Sequence, residues 1–200
     1  MWIVVWLIGC MEPDDAVVDR TTDPVFTEVV SWTLDRMDEW HVPGVAIGVL
    51  IDGELTHRAG LGVRRFGTNA RINSNTRFRV GSISKMFTGA ALLQQAEMGR
   101  IDLDAPASRA LPGVTLADPL ALSKPTLMQL LTHSGGMQPP GLPRRCDVDE
   151  TALSGELLER AREWSLWSEP GTFFHYANPN YALGGLAVEI AADEPFAALM

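Results

Sequence analysis

Lysine is nearly missing from this 200-residue sequence: Lys85 and Lys124 are the only two among 16 basic residues, and arginine supplies the rest. Against them stand 25 acidic residues, giving a formal net charge of -9 that repels phosphate backbones and anionic lipid surfaces and argues against a nucleic-acid partner. Cysteine is equally scarce. Cys10 and Cys146 cannot build a disulfide framework, and neither shows a metal-ligand spacing, so no metal and no cofactor are expected. No apolar run reaches the roughly 20 residues that a membrane-spanning helix needs. What remains is ordinary: 46% hydrophobic and 20% charged residues, enough for one sizeable core or part of a larger one.

The chain opens on an apolar run that ends at Cys10, and Leu7-Ile8-Gly9-Cys10 resembles the lipobox of bacterial lipoproteins, in which the cysteine is lipidated. No basic residue precedes the run. A short apolar tail packed on the domain, or a Cys10–Cys146 disulfide, are competing uses of the same residues. Residues 11–24 are acidic and punctuated by proline, as in a solvated tether, so residues 1–10 read as a signal segment, 11–24 as a linker and 25–200 as the domain.

Within the domain, Val25, Val29, Trp32 and Met37 recur at helical spacing up to Trp40. The β-branched run 45–51 ends at Asp52-Gly53, the dipeptide best suited to a tight primed hairpin turn, and 54–62 is expected to return as its partner strand. Residues 63–76 read as a loop. The next helix is expected to start at Ser82, and its nearly all-round apolar circumference predicts burial in a core. Residues 101–125 hold four prolines and read as irregular, with short helices expected at 126–132, 153–164 and 179–192. A helix, a hairpin and further helices indicate an α+β arrangement with helices on a sheet.

Two constellations carry chemistry. Ser82-Ile83-Ser84-Lys85 places a hydroxyl and an amine three residues apart, on one face of a helix. A serine hydroxyl is a weak nucleophile until a neighbouring base takes its proton, and Lys85 serves as that base only where burial or neighbours hold it partly neutral. With ten serines and two lysines in the chain, chance gives about 0.1 such pairs, so the motif alone is weak. A serine helix cap followed by a solvated lysine explains it equally well. Tyr176-Ala177-Asn178 puts a phenol and an amide on the same side of an extended segment, where both can face one cleft. A buried aromatic with a turn asparagine before Pro179 is the plainer alternative.

Taken in order, residues 78–85 (Phe-Arg-Val-Gly-Ser-Ile-Ser-Lys), 130–136 (Leu-Leu-Thr-His-Ser-Gly-Gly), Tyr176-Ala177-Asn178 and 181–185 (Tyr-Ala-Leu-Gly-Gly) resemble the successive signatures of the serine β-lactamase and penicillin-binding-protein family, in its class C-like branch. The resemblance spans about residues 25–200. It implies a β-lactamase/transpeptidase-like α+β fold, an antiparallel sheet flanked by helices with an all-helical subdomain. It also implies Ser82 as acyl-enzyme nucleophile, Lys85 as proton acceptor, Tyr176 as general base and later acid, and Asn178 as a contact to a substrate amide. The Ser82 N–H would form half of an oxyanion hole. Residues 130–136 would be structural, with His133 packed or hydrogen-bonding rather than acting as a base; His41, His57 and His175 have no metal spacing or carboxylate partner and are read the same way.

The resemblance implies a serine hydrolase of the bacterial cell envelope acting on a small-molecule or peptide substrate: a β-lactam, a D-amino-acid peptide or an ester. Loops 101–125 and 137–150 would border its cleft. Contact with a membrane would be limited to a lipid on Cys10. The family's third element, a Lys-Thr-Gly or His-x-Gly strand, is absent from the sequence, which predicts an incomplete copy lacking the C-terminal strands, unstable and nearly inactive by itself. A penicillin-binding or sensor module without turnover, and an inactive remnant, stay open as alternatives.

Overall fold

The computed structural model describes residues 23–73, 75–137, 158–159 and 161–200. The lipobox with Cys10, nearly all of the acidic linker, Cys146, and half of the helix expected at 153–164 lie outside the described residues. The described residues divide into two compact units, one ending at Gly81 and the other starting at Ser82.

In the first unit, helix α1 (Pro24–Glu39) starts where the carboxylate of Asp23 accepts the amides of Val25 and Phe26, at 2.8 and 3.0 Å, satisfying two otherwise unpaired donors of the first turn. Its buried face consists of Phe26, Thr33 and Met37, with Val29 and Val30 partly covered. The apolar face expected from Val25 and Trp32 is therefore corrected: these two are 62% and 53% exposed. The 26, 30, 33, 37 spacing keeps one stripe along the helix, and Val25 and Trp32 each sit one position off it.

The hairpin matches the sequence reading. Strands β1 (Gly44–Ile51) and β2 (Glu54–Gly62) pair antiparallel from Gly44 opposite Gly62 to Ile51 opposite Glu54. The turn is left-handed at both central residues, with φ of 52° at Asp52 and 86° at Gly53, as a primed turn requires. A bulge between Val49 and Leu50 shifts the register near that turn. Val45 and Ile47 of β1 and Ala59 and Leu61 of β2 close over Phe26 and Met37 of α1.

The second unit is helical. A 3-10 turn at Gly81–Ile83 leads into α2 (Ser84–Glu97); α3 (Leu120–Ser123), α4 (Leu127–Leu131), α5 (Asn178–Ala192) and α6 (Phe196–Leu199) follow. Ala91 and Leu92 of α2, Leu127 and Leu130 of α4, and Leu183, Ala187 and Val188 of α5 share one core with Trp164 and Met137. Gly184 lets α5 approach α2: a Cβ there would lie 2.9 Å from Leu92 Cδ1. Helix α2 buries only one face. The core expected all round it is corrected by Met86, Phe87 and Leu93, which are exposed, whereas Thr88, Ala91, Leu92 and Gln95 meet α5 and its neighbours.

Candidate active site

The site is assembled from three pieces of the second unit: the start of α2, the turn after α4, and the extended segment that enters α5. Ser82 sits in the 3-10 turn, two residues before the α-helix proper, and Ile83 occupies the capping position without a side-chain cap bond. Neither the expected helix start at the serine nor the alternative of a serine cap is seen. The Ser82 hydroxyl is engaged elsewhere: Oγ lies 2.7 Å from the Tyr176 hydroxyl and accepts a hydrogen bond from Lys85 Nζ at 3.2 Å. The three-residue spacing read from the sequence does place both groups on one side.

Lys85 is held from further directions. It donates to Asn178 Oδ1 at 2.7 Å, and its ammonium lies 4.8 Å from the ring centre of Tyr176 and 5.6 Å from that of Tyr181. Both rings present a negative face to the cation. The four sequence-predicted residues Ser82, Lys85, Tyr176 and Asn178 are thus brought together, although about 90 residues separate the two pairs. Asn178 meets the lysine through its carbonyl oxygen and keeps its amide donors for another partner.

The phenol of Tyr176 is shifted below the ordinary tyrosine range. The Lys85 donor is the main cause and the Ser82 hydroxyl the second, both favouring the phenolate; burial opposes them, and the positive charge of Lys85 adds to the lowering. The ring remains 48% exposed, so a substrate can reach it.

Residues 130–136 are the scaffold under this cluster. Thr126 caps α4 in a reciprocal box with Gln129. The carbonyls that end α4 find partners on α5: Asn180 Nδ2 donates to Leu130 O at 3.2 Å and Tyr181 OH to Leu131 O at 2.9 Å. The turn beyond binds the segment leading to Tyr176, with Ser134 O accepting from Gly171 N at 2.7 Å and His133 O from His175 N at 2.7 Å. Gly136, at φ 76°, accepts the Trp167 amide; a Cβ there would stand 2.3 Å from Ser168 O, which excludes any larger residue without movement.

His133 is buried and packs its ring 4.5 Å from that of Tyr176 and 5.3 Å from that of Tyr181, as the packed or hydrogen-bonding role predicted. His175 lies edge-on to Trp167. His57, read as having no carboxylate partner, stacks on Phe26 and is corrected in that respect, because the fold brings its Nε2 to 3.8 Å from the Asp23 carboxylate; His41 takes a left-handed φ of 51° just after α1. The second lysine, Lys124, pairs with exposed Glu169 at 2.5 Å. Tyr181 and Asn180 were not singled out from the sequence as part of the site; their positions three and two residues after Asn178, on the first turn of α5, were the available signal.

No group of three or more metal-ligating side chains occurs among the described residues. Of residues 137–150, expected to border the cleft, all but Met137 lie outside the described residues.

Comparison with known proteins agrees with this geometry. A family model described as Beta-lactamase matches residues 30–200. Among curated relatives, a beta-lactamase of Lysobacter lactamgenus is 32% identical over 162 residues, covering 80% of this chain and 39% of the relative. Penicillin-binding protein 4 of Amycolatopsis lactamdurans is 28% identical over 163 residues, covering 78% and 40%. The chain spans about two fifths of the length of these relatives. A crystal structure of D-alanine carboxypeptidase AmpC from Burkholderia cenocepacia superposes with a TM-score of 0.67 at 27% identity, over 90% of this chain and 47% of that one. A beta-lactamase/D-alanine carboxypeptidase from Pseudomonas syringae gives the same score and identity over 86% and 46%. The fold is that of β-lactamases and transpeptidases, and the chain belongs to the beta-lactamase family.

Proposed function

We propose that this chain carries the nucleophile-bearing part of a serine hydrolase that forms an acyl-enzyme on Ser82. The observation that carries the reading is the contact of one hydroxyl with two groups able to manage its proton, Tyr176 at 2.7 Å and Lys85 at 3.2 Å. Tyr176 is the nearer, and its lowered affinity for a proton means that part of it is phenolate at a lower pH than for a free tyrosine. As Ser82 Oγ bonds to the substrate carbonyl carbon, its proton passes to Tyr176 in the phenolate form that Lys85 favours. Collapse of the tetrahedral intermediate breaks the bond to the leaving nitrogen or oxygen, which takes that proton back from Tyr176. Water then attacks the ester on Ser82 by the same route and releases the acid.

Lys85, fixed by Asn178, offsets the negative charge on the phenolate throughout. The Ser82 N–H, next to the start of α2, contributes to the oxyanion hole. The substrate class is a β-lactam, a D-amino-acid peptide or a simple ester, consistent with relatives named beta-lactamase and D-alanine carboxypeptidase. We place the protein at the bacterial cell envelope, with Cys10 as its lipid-bearing residue.

The name of the penicillin-binding relative favours a second reading, in which the acyl-enzyme forms but is not turned over. Intact mass spectrometry after incubation with a fluorescent penicillin or a fluorophosphonate separates the outcomes. A single adduct on the parent chain that vanishes in Ser82→Ala supports Ser82 as nucleophile. A penicillin adduct that persists through washing points to the second reading. No adduct with either probe, on a chain that melts cooperatively, refutes both.

A further inference from the structure

His133 is a buried, nucleophile-sized group for which the chemistry at Ser82 has no direct use. It lies in the left-handed region with φ 57°, just past α4. Its Nδ1 accepts a hydrogen bond from the backbone amide of Ala177 at 3.2 Å, a contact buried on both sides. Its carbonyl accepts the amide of His175 at 2.7 Å. Both bonds therefore go to the residues flanking Tyr176 in the chain, while the imidazole ring itself packs against the phenol at 4.5 Å. One residue thus holds the tyrosine ring and the backbone on either side of it, and none of these bonds is to Ser82 or Lys85.

We propose that His133 is the positioning residue for Tyr176: its unprotonated Nδ1 holds the Ala177 amide and so keeps the phenol against Ser82, and a proton on that nitrogen releases the arrangement. An imidazole nitrogen accepts a hydrogen bond only while it carries no proton. Once protonated, the nitrogen and the Ala177 amide are two donors facing each other at a buried contact, which is unfavourable. The amide must then turn away, and Tyr176 and Asn178 lie one residue to either side of it. The role rests on the acylation reading for its functional half. Its geometric half does not depend on that reading.

The surroundings determine where the release occurs. Facing the ring are Lys85 from α2, Tyr181 from α5, and Tyr176 and Phe174 from the extended segment, with His175 close by. Burial disfavours the imidazolium most, and the positive charges of Lys85 and of protonated His175 act in the same sense, so His133 is held below the ordinary histidine value of 6.5. The site is accordingly locked at neutral pH and loosens in acid.

The test combines two readouts on the intact 200-residue chain. Nuclear magnetic resonance follows the His133 imidazole, the Ala177 amide and the Tyr176 ring as pH falls. The same midpoint, below 6.5, is expected for all three. Fluorophosphonate labelling of Ser82 is measured in parallel for His133→Asn and His133→Ala. Asparagine tolerates the left-handed backbone and offers a carbonyl oxygen in place of Nδ1 without titrating. His133→Asn is expected to retain labelling at neutral pH, and its Ala177 amide to stay still through the acid range. His133→Ala is expected to lose about a hundredfold in labelling rate, the scale of a small misplacement of a reacting group.

An Ala177 amide that ignores the His133 transition overturns the proposal, whatever happens at Ser82. So does an acid-range shift of Ala177 that persists in His133→Asn. If the three midpoints coincide but the parent chain is never labelled, the positioning role stands and the acylation reading fails.

Discussion

The two units of the chain solve burial differently. Residues 23–81 close six buried apolar side chains between one helix and one hairpin, and leave Val25, Trp32, Trp40, Leu50 and Leu55 largely exposed. Among the described residues of 82–200, sixteen buried side chains from several helices and loops gather into one core, among them Trp164, Leu92, Leu130 and Leu183 at no measurable exposure. Every residue of the candidate site belongs to the second unit. Acyl transfer requires that Ser82, Lys85 and Tyr176 keep their separations to a few tenths of an ångström, and only a closely packed support can hold them so. A hairpin with few buried side chains offers no such support.

The largest effect expected from this contrast is chemical. Lys85→Met removes the donor that holds Ser82 and favours the phenolate, and should slow labelling of Ser82 by about 10²–10⁴-fold with the melting temperature little changed. The same variant should return Tyr176 towards the ordinary tyrosine range, seen as the difference between tyrosinate titrations of each protein and its Tyr176→Phe counterpart. The sign follows from the lowered value: the native state binds fewer protons than the unfolded chain between the folded and unfolded values of Tyr176, so stability rises with pH across that window. In Lys85→Met that rise should shrink. A phenol that titrates identically with and without Lys85 would break the link between the charge and the proton.

Next in size is packing. Leu92→Ala, at the α2–α5 contact beneath the site, should cost about 4 kcal/mol in chemical denaturation, and Ile47→Ala in the hairpin less, about 2 kcal/mol. Similar losses at the two positions would mean that the hairpin core is packed as fully as the helical one. The smallest effects are at the helix caps. Asp23→Ala at α1 and Thr126→Ala at α4 should each cost about 1 kcal/mol. Thr126→Ala should in addition slow Ser82 labelling, because α4 ends in the turn that carries His133; Asp23→Ala should leave labelling alone.

The histidine at 133 shows how far motif reading reaches. Residues 130–136 were legible as a structural element beside the site, and that is where they lie. Nothing local announced that the His133 nitrogen would meet the Ala177 amide 44 residues later. The same holds for Asn180 and Tyr181, which receive the last carbonyls of α4 because α5 passes there, and whose own neighbours in the sequence say nothing of it. On α1 the apolar pattern itself is ambiguous. Val25 and Trp32 fit a helical stripe, but so does the Phe26, Val30, Thr33, Met37 stripe, and only the hairpin decides which one is covered.

The sequence by itself determined what lies within one turn or one hairpin: the Ser82–Lys85 spacing, the primed turn at Asp52-Gly53, the extended Tyr176–Asn178 pair, and through the ordered motifs the family. These follow from backbone geometry, which fixes contacts between residues two to four apart. Tertiary structure alone decided that Ser82 would be held by Tyr176 rather than cap its own helix, that Asn178 would steady Lys85, and that His133 would brace the phenol. Contacts across tens of residues depend on which buried surfaces pack together, and no local spacing encodes that choice.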